Sequence, residues 1–417
     1  MRQPGIPLPR RSQGGPSGGR WLRLLRRSLE AIAATFPSSR LVAKQVKSFL
    51  FYPLQRLWSL FREGIDPLLL VAILVTSVFG LFVLWSASGT EKFLWWRQVA
   101  RLGVGLAVLL VITLVPARFL RMASPYVYGA GLLMLVAVEI IGDVSKGAQR
   151  WLDLGVVRFQ PSELMKLALP MMCAFYLHNR PLPLSMKDAA VTTVIILCPA
   201  VLIFLQPDLG TALLVAGAGF VVILLAGLPW KVIWGLLAGA VPIGYVAWHY
   251  LLHDYQRGRI LTLLDPQRDP LGSGYHIIQS QIAIGSGGVF GKGWMNGSQA
   301  QLEFLPERTT DFIFAVIGEE FGLIGQAFLL GLYALLIGRA LFLASQCADT
   351  YGRLLAGSIA ATLFVYVFVN TGMVTGLLPV VGVPLPLISY GGTSMVTLMA
   401  GFGILLSMRF QRKLIRS

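Results

Sequence analysis

From Asp66 to the C-terminus the chain is a succession of long apolar runs separated by short polar connections. Runs near 68–87, 99–116, 125–142, 161–177, 189–205, 209–228, 231–251, 312–337, 354–376 and 387–408 each approach the ~20 residues that a helix needs to cross a bilayer core. A backbone in lipid must satisfy its polar groups internally, so such runs form helices. The expected fold is therefore an all-α polytopic membrane protein with ten transmembrane helices. Composition agrees, since only 13% of residues are charged, where a soluble domain carries about 25%.

Charge orients the helices. An even number of spans puts both termini on one side. The connections holding Arg118, Arg121, Arg180, Lys187, Lys231, Arg339 and Arg353, and the tail with Arg409, Arg412, Lys413 and Arg416, are short and basic. The positive-inside rule makes these cytoplasmic, giving an N-in, C-in topology. Residues 1–62 carry 12 of the Lys and Arg and the single acid Glu30, so +11 of the net +16 lies there. The first 20 of them are rich in Gly, Pro, Arg and Ser and read as disordered. The rest reads as an amphipathic helix on an anionic inner leaflet, with no signal-peptide pattern before it. The expected organisation is a basic cytoplasmic extension over 1–62 and a transmembrane domain over 63–417. Charge alone would allow nucleic acid, but no reader module follows, so membrane lipid is the expected contact.

Outer connections are then the places for chemistry. The longest, 253–311 between the seventh and eighth runs, exceeds what a mere connector needs. Glu163 and Lys166 open the fourth run at i, i+3 and share a helix face. Asp208 opens the sixth after Gln206 and Pro207, where the helix dipole favours an anion. Helix capping with a buried pair explains them; so does a polar cavity open to the outside. The eighth run opens with the densest cluster, Glu303, Glu307, Arg308, Thr310 and Asp311, with Thr310 a candidate N-cap and Asp311 in the first turn. Glu319 and Glu320 lie deeper in the same run. Upstream, the Gly-rich stretch 285–293 carries Lys292. Its spacing is not a Walker loop, but it could aim N–H groups and Lys292 at a pyrophosphate, or be only a loop. His249 and His253 are spaced for a metal or for interfacial packing. Cys173, Cys198 and Cys347 form neither a disulfide framework nor a zinc motif.

Several blocks together resemble one family. They are Lys146–Leu152 (KGAQRWL), Gln160–Glu163 (QPSE), Gln206–Gly210 (QPDLG), Gly274–Ser280 (GYHIIQS), the stretch Gln301–Phe312, and Leu378–Pro386 followed by Ser389–Gly392 (SYGG). The chain is similar, over about residues 60–417, to the SEDS family (shape, elongation, division and sporulation). His253–Arg257, Ile277–Gln279 and Arg308 after Glu307 resemble the branch that serves rod-shaped growth rather than division. Thr309 stands where many of that branch carry His.

The resemblance implies a peptidoglycan glycosyltransferase in the bacterial inner membrane, with its active site facing the periplasm. Its substrate would be lipid II and its partner a class B penicillin-binding protein. It implies Asp311 as the catalytic aspartate. Arg150, Trp151, Glu163, Lys166, Asp208, Lys292, Glu307, Arg308 and Ser389 are then the expected substrate-binding set. Neutralising a pyrophosphate leaving group falls to Arg150, Lys292 and Arg308 or to a divalent cation such as Mg or Mn; no protein ligands for a metal are legible. Two other readings stand beside the enzyme: a lipid II flippase and a non-catalytic scaffold for the penicillin-binding protein. The long outer connection ending at Asp311, and the lack of a clear inverted repeat, favour the enzyme.

Overall fold

The computed structural model describes residues 65–89, 91–145, 148–153, 158–228, 230–251, 254–269 and 272–416. The basic N-terminal stretch, Lys146, Gly147 and His253 lie outside the described residues. Residues from Arg62 onward form one compact unit.

The helices are α1 (Pro67–Ala87), α2 (Lys92–Leu114), α3 (Ala117–Ile141), α4 (Pro161–Leu177), α5 (Met186–Leu205), α6 (Leu209–Leu225) and α7 (Trp230–Val246), then α8 (Asp254–Leu264), α9 (Ser273–Gly287), α10 (Ser298–Gln301), α11 (Ile313–Ser345), α12 (Thr350–Thr375) and α13 (Thr393–Arg416). Three short strands, β1 (Asp143–Ser145), β2 (Ala148–Asp153) and β3 (Arg158–Phe159), form an antiparallel sheet in the order β1-β2-β3 between α3 and α4. Among the described residues, α1, α2, α3, α5, α11 and α12 are long and apolar enough to cross a membrane.

Every expected run contains a helix, with three differences. The connection 253–311 is largely helical, in α8, α9 and α10. The second helix starts seven residues earlier than its apolar run, because Lys92 and Arg97 lie inside it. The last helix starts at Thr393, six residues late, because Leu387 takes φ +65 and 377–392 runs as a non-helical strap.

Helix ends follow local chemistry. Asp66 caps α1 by accepting from Leu69 N–H at 3.0 Å, and Pro67 occupies the first helical position. Asp66 also takes Arg339 from α11, at 3.0 and 2.7 Å, and Arg409 from α13. Burial pushes the Asp66 carboxyl up, but the Arg339 hydrogen bond, the Leu69 N–H and the Arg409 charge outweigh it and hold it below the ordinary carboxylate value. One acid thus ties three helices together at the end opposite the candidate site.

Helix α11 is broken at Gly322, whose φ is +63. The break frees carbonyls that an unbroken helix would use. The Gly-rich stretch supplies their partners: Lys292 N–H donates to Glu319 O at 2.9 Å, and Gly293 N–H to Glu320 O at 3.0 Å. In return, Leu323 and Ile324 N–H donate to Gly288 O and Val289 O. The two irregular segments thus satisfy each other's backbone polar groups. A Cβ on Gly291 (φ +80) would sit 2.2 Å from Glu320 O, so the approach requires glycine.

Candidate active site

Asp311 does not lie in the first turn of its helix. Helix α11 begins at Ile313 with no side-chain cap, and Thr310 donates instead to Glu307 Oε2 at 2.8 Å. Asp311 is a half-buried turn residue just before the helix. Its place is set by the strap that crosses it. Tyr390 N–H donates to Thr309 O at 2.8 Å, Ser389 Oγ to Thr310 O at 2.5 Å, and Asn370 Nδ2 to Asp311 O at 2.9 Å. Three successive carbonyls around the acid are therefore held. The carboxylate faces Gly382 (φ +80), where a Cβ would lie 3.5 Å from Asp311 Oδ2.

The strap is a common wall. On one side Gly210, at the start of α6, approaches Val381 so closely that a Cβ would meet Val381 Cγ1 at 2.1 Å. Two residues earlier, Asp208 caps α6 through Thr211 N–H at 3.2 Å. Arg150 from β2 reaches Asp208 at 3.4 Å and donates to Pro207 O at 2.7 Å. Trp151 beside it is partly buried in the same strand, opposite Asp143. On the other side, Pro384 and Pro386 join Glu163, Lys166 and Tyr366 around a cavity of about 60 Å³. Glu163 and Lys166 pair at 2.6 Å, and Lys166 sits 4.9 Å from the Tyr366 ring centroid. Glu163 is 6% exposed and its Oε2 has no hydrogen-bond partner. Both Gln-Pro helix starts, the strap and Asp311 thus meet at one end of the helices.

Three expected ligand contacts are used otherwise. Lys292 Nζ is bound to Glu319 Oε1 at 2.7 Å and donates to Ser298 Oγ at 2.9 Å. Glu319, fully buried, also accepts from Gln299 and Ala300 N–H at the start of α10. Lys292 thus braces a buried acid, a pairing that periodicity could not supply. Ser389 is buried, and its hydroxyl is spent on Thr310 O and Leu385 N–H. Arg308 donates to Ala87 O, Ala300 O and Glu303 Oε1, fastening the 300–311 stretch to α1. With Glu91, Glu303 and Glu307, Arg308 still lines an open polar cavity of about 310 Å³. Among the described residues, no three His, Cys, Asp or Glu side chains are grouped to hold a metal ion.

The comparisons with known proteins agree with this assembly. Residues 67–414 match the family model described as cell cycle protein, of the FtsW/RodA/SpoVE type. The chain belongs to this family. It is 51% identical over 357 residues to the peptidoglycan glycosyltransferase MrdB of Escherichia coli K12, covering 85% of this chain and 96% of that protein. It is 36% identical over 363 residues to the probable peptidoglycan glycosyltransferase FtsW of Geobacter metallireducens, covering 84% and 96%. Among solved structures, a chain of a peptidoglycan synthase complex superposes with a TM-score of 0.74 at 39% identity, over 84% of this chain and 99% of that one. The rod shape determining protein RodA of Thermus thermophilus gives 0.65 at 33% identity, over 84% and 98%.

In this FtsW/RodA/SpoVE member, sequence reasoning missed Asn370 and Gln98. Asn370 is a lone amide in an apolar run, and Gln98 is an amide just before one. A buried carboxamide in or beside such a run is the signal that could have found them.

Proposed function

We propose that this chain is a peptidoglycan glycosyltransferase that polymerises lipid II at the outer face of the bacterial inner membrane. The observation that carries the reading is Asp311 on a turn whose backbone carbonyls are held by Tyr390, Ser389 and Asn370. The acid faces the strap that also walls Asp208–Arg150 and Glu163–Lys166. Identity to named peptidoglycan glycosyltransferases supports the activity.

Ten crossings, alternating from α1 to α13 with α8, α9 and α10 outside, put Asp311 and the strap at the outer end. The Asp66–Arg339–Arg409 cluster then lies at the cytoplasmic end, in keeping with the positive-inside rule.

The GlcNAc 4-hydroxyl of one lipid-linked unit attacks the anomeric carbon of MurNAc on another. The Asp311 carboxylate takes the hydroxyl proton as the new C–O bond forms. The bond from the anomeric carbon to the pyrophosphate oxygen breaks, and undecaprenyl pyrophosphate leaves with the electron pair. The α-linked donor gives a β-1,4 product, so configuration inverts. One base suffices, because the leaving group needs no protonation comparable to a sugar hydroxyl. Arg150 offers positive charge beside Asp208, and Glu163–Lys166 polarises the neighbouring cavity. A divalent cation such as Mg or Mn would add to that charge neutralisation; among the described residues no three His, Cys, Asp or Glu side chains are grouped to hold one. The partner would be a class B penicillin-binding protein, in line with the synthase complex among the structural relatives.

The test is glycan formation from purified lipid II by the full chain with its partner. Wild type makes polymer and Asp311→Asn makes none. Equal polymer from both would remove Asp311 as the base. No polymer from wild type, with lipid II crossing vesicles instead, would favour a flippase.

A further inference from the structure

Asp311 sits in a turn, and the strap opposite it, 377–392, is neither helix nor strand. Neither segment defines its own position. Besides Tyr333 of α11, which donates to Pro386 O, a pair of buried carboxamides joins them to the rigid helices.

Asn370, in α12, is 0% exposed. Its single Nδ2 donates to Asp311 O at 2.9 Å and to Val383 O at 2.7 Å, so one side chain sets the spacing between the acid's backbone and the strap. Gln98, in α2, is 2% exposed. Its Nε2 donates to Ser389 O at 3.1 Å, and its Oε1 accepts from Gly391 N–H at 3.4 Å. Both ends of that amide grip the strap on either side of Tyr390. The Arg101 guanidinium, one helical turn further along α2, lies 4.3 Å from the Tyr390 ring centroid. Tyr390 and Ser389 are the residues that hold Thr309 O and Thr310 O. The path from α2 to the acid is therefore continuous: Gln98, the 389–391 backbone, the 309–310 carbonyls, Asp311.

We propose that Gln98 and Asn370 are positioning residues for Asp311, acting as a two-point amide clamp that holds the strap and the acid-bearing turn in register. Neither touches the reacting atoms. A base misplaced by about an ångström costs far more in rate than in binding, so the clamp acts on turnover. Isosteric replacement exposes this. Asn370→Asp and Gln98→Glu keep size but remove the donated hydrogens; Gln98→Met and Asn370→Leu remove all polarity.

The experiment uses the full chain with its partner in detergent. It measures kcat and KM for lipid II, together with amide hydrogen exchange. Thr113→Val is the control, since that hydroxyl lies in α2 but bonds to Leu109 O and Gly403 O, away from the strap. All four clamp variants are expected to lose kcat by roughly tenfold to a hundredfold, with KM within about twofold of wild type. Exchange should quicken over 309–312 and 385–391 and stay unchanged in α3 and α5, while Thr113→Val behaves as wild type. The proposal is overturned by unchanged kcat, by a change confined to KM, or by exchange that rises everywhere alike. The kinetic arm rests on the polymerase reading. The exchange arm needs no substrate, so an inactive wild type would sink that reading while the clamp is still judged by exchange.

Discussion

Ser389 Oγ donates to Thr310 O across 2.5 Å, so a residue 79 positions later in the chain fixes the peptide unit that carries Asp311. The same oxygen accepts Leu385 N–H at 2.7 Å and closes the strap on itself. Ser389→Ala leaves both groups buried and unmet, a cost of about 1–3 kcal/mol each. The expected outcome is a folded protein with lower melting temperature and reduced kcat, and with KM for lipid II little changed. A rise in KM at constant kcat would return Ser389 to direct substrate contact.

Gly210 and Val381 make a reciprocal pair. Gly210→Ala puts a methyl on Val381 Cγ1 and should push the strap away from α6, lowering polymerisation. Val381→Ala clears the space. The double variant should regain most of the activity lost by Gly210→Ala, a coupling that a double-mutant cycle reads directly. Additive losses would mean that the strap moves for another reason.

Lys292 offers a choice between ligand contact and strut. As a strut, Lys292→Met strands the fully buried Glu319 and costs about 3 kcal/mol of stability. Adding Glu319→Gln should restore much of that in a thermal melt, because the uncompensated charge is gone. A pyrophosphate-binding lysine would instead show raised KM with the melt unmoved.

Asp66 makes stability depend on pH. Its carboxyl is held below the ordinary value when folded, so its contribution is complete above the unfolded carboxylate pKa. That contribution fades as pH falls through the lower, folded value. Melting temperature should therefore fall on acidification through the carboxylate range, and Asp66→Asn should flatten that part of the profile. An equally steep fall in Asp66→Asn would assign it to other acids.

Hydropathy and spacing alone determined where the spanning runs are, because a chain in lipid has no other way to satisfy its backbone; they did not show α8, α9 and α10 within 253–311. The same local logic placed Glu163 and Lys166 at one helix start and Asp208 at another, and it marked 253–311 as the segment to watch. Pairing was another matter. That Lys292 meets Glu319, Asp66 meets Arg339 and Arg409, and Ser389 meets Thr310 follows from how helices pack, which leaves no trace in local spacing. With Leu387 at φ +65, the last helix starts at Thr393, six residues into its apolar run. Residues 285–293 look like a phosphate loop in one dimension. In three dimensions the N–H groups of Lys292 and Gly293 already donate to Glu319 O and Glu320 O beside the break at Gly322. Buried polar groups must find partners wherever packing puts them, so the tertiary structure alone decided which charges were left to face a substrate.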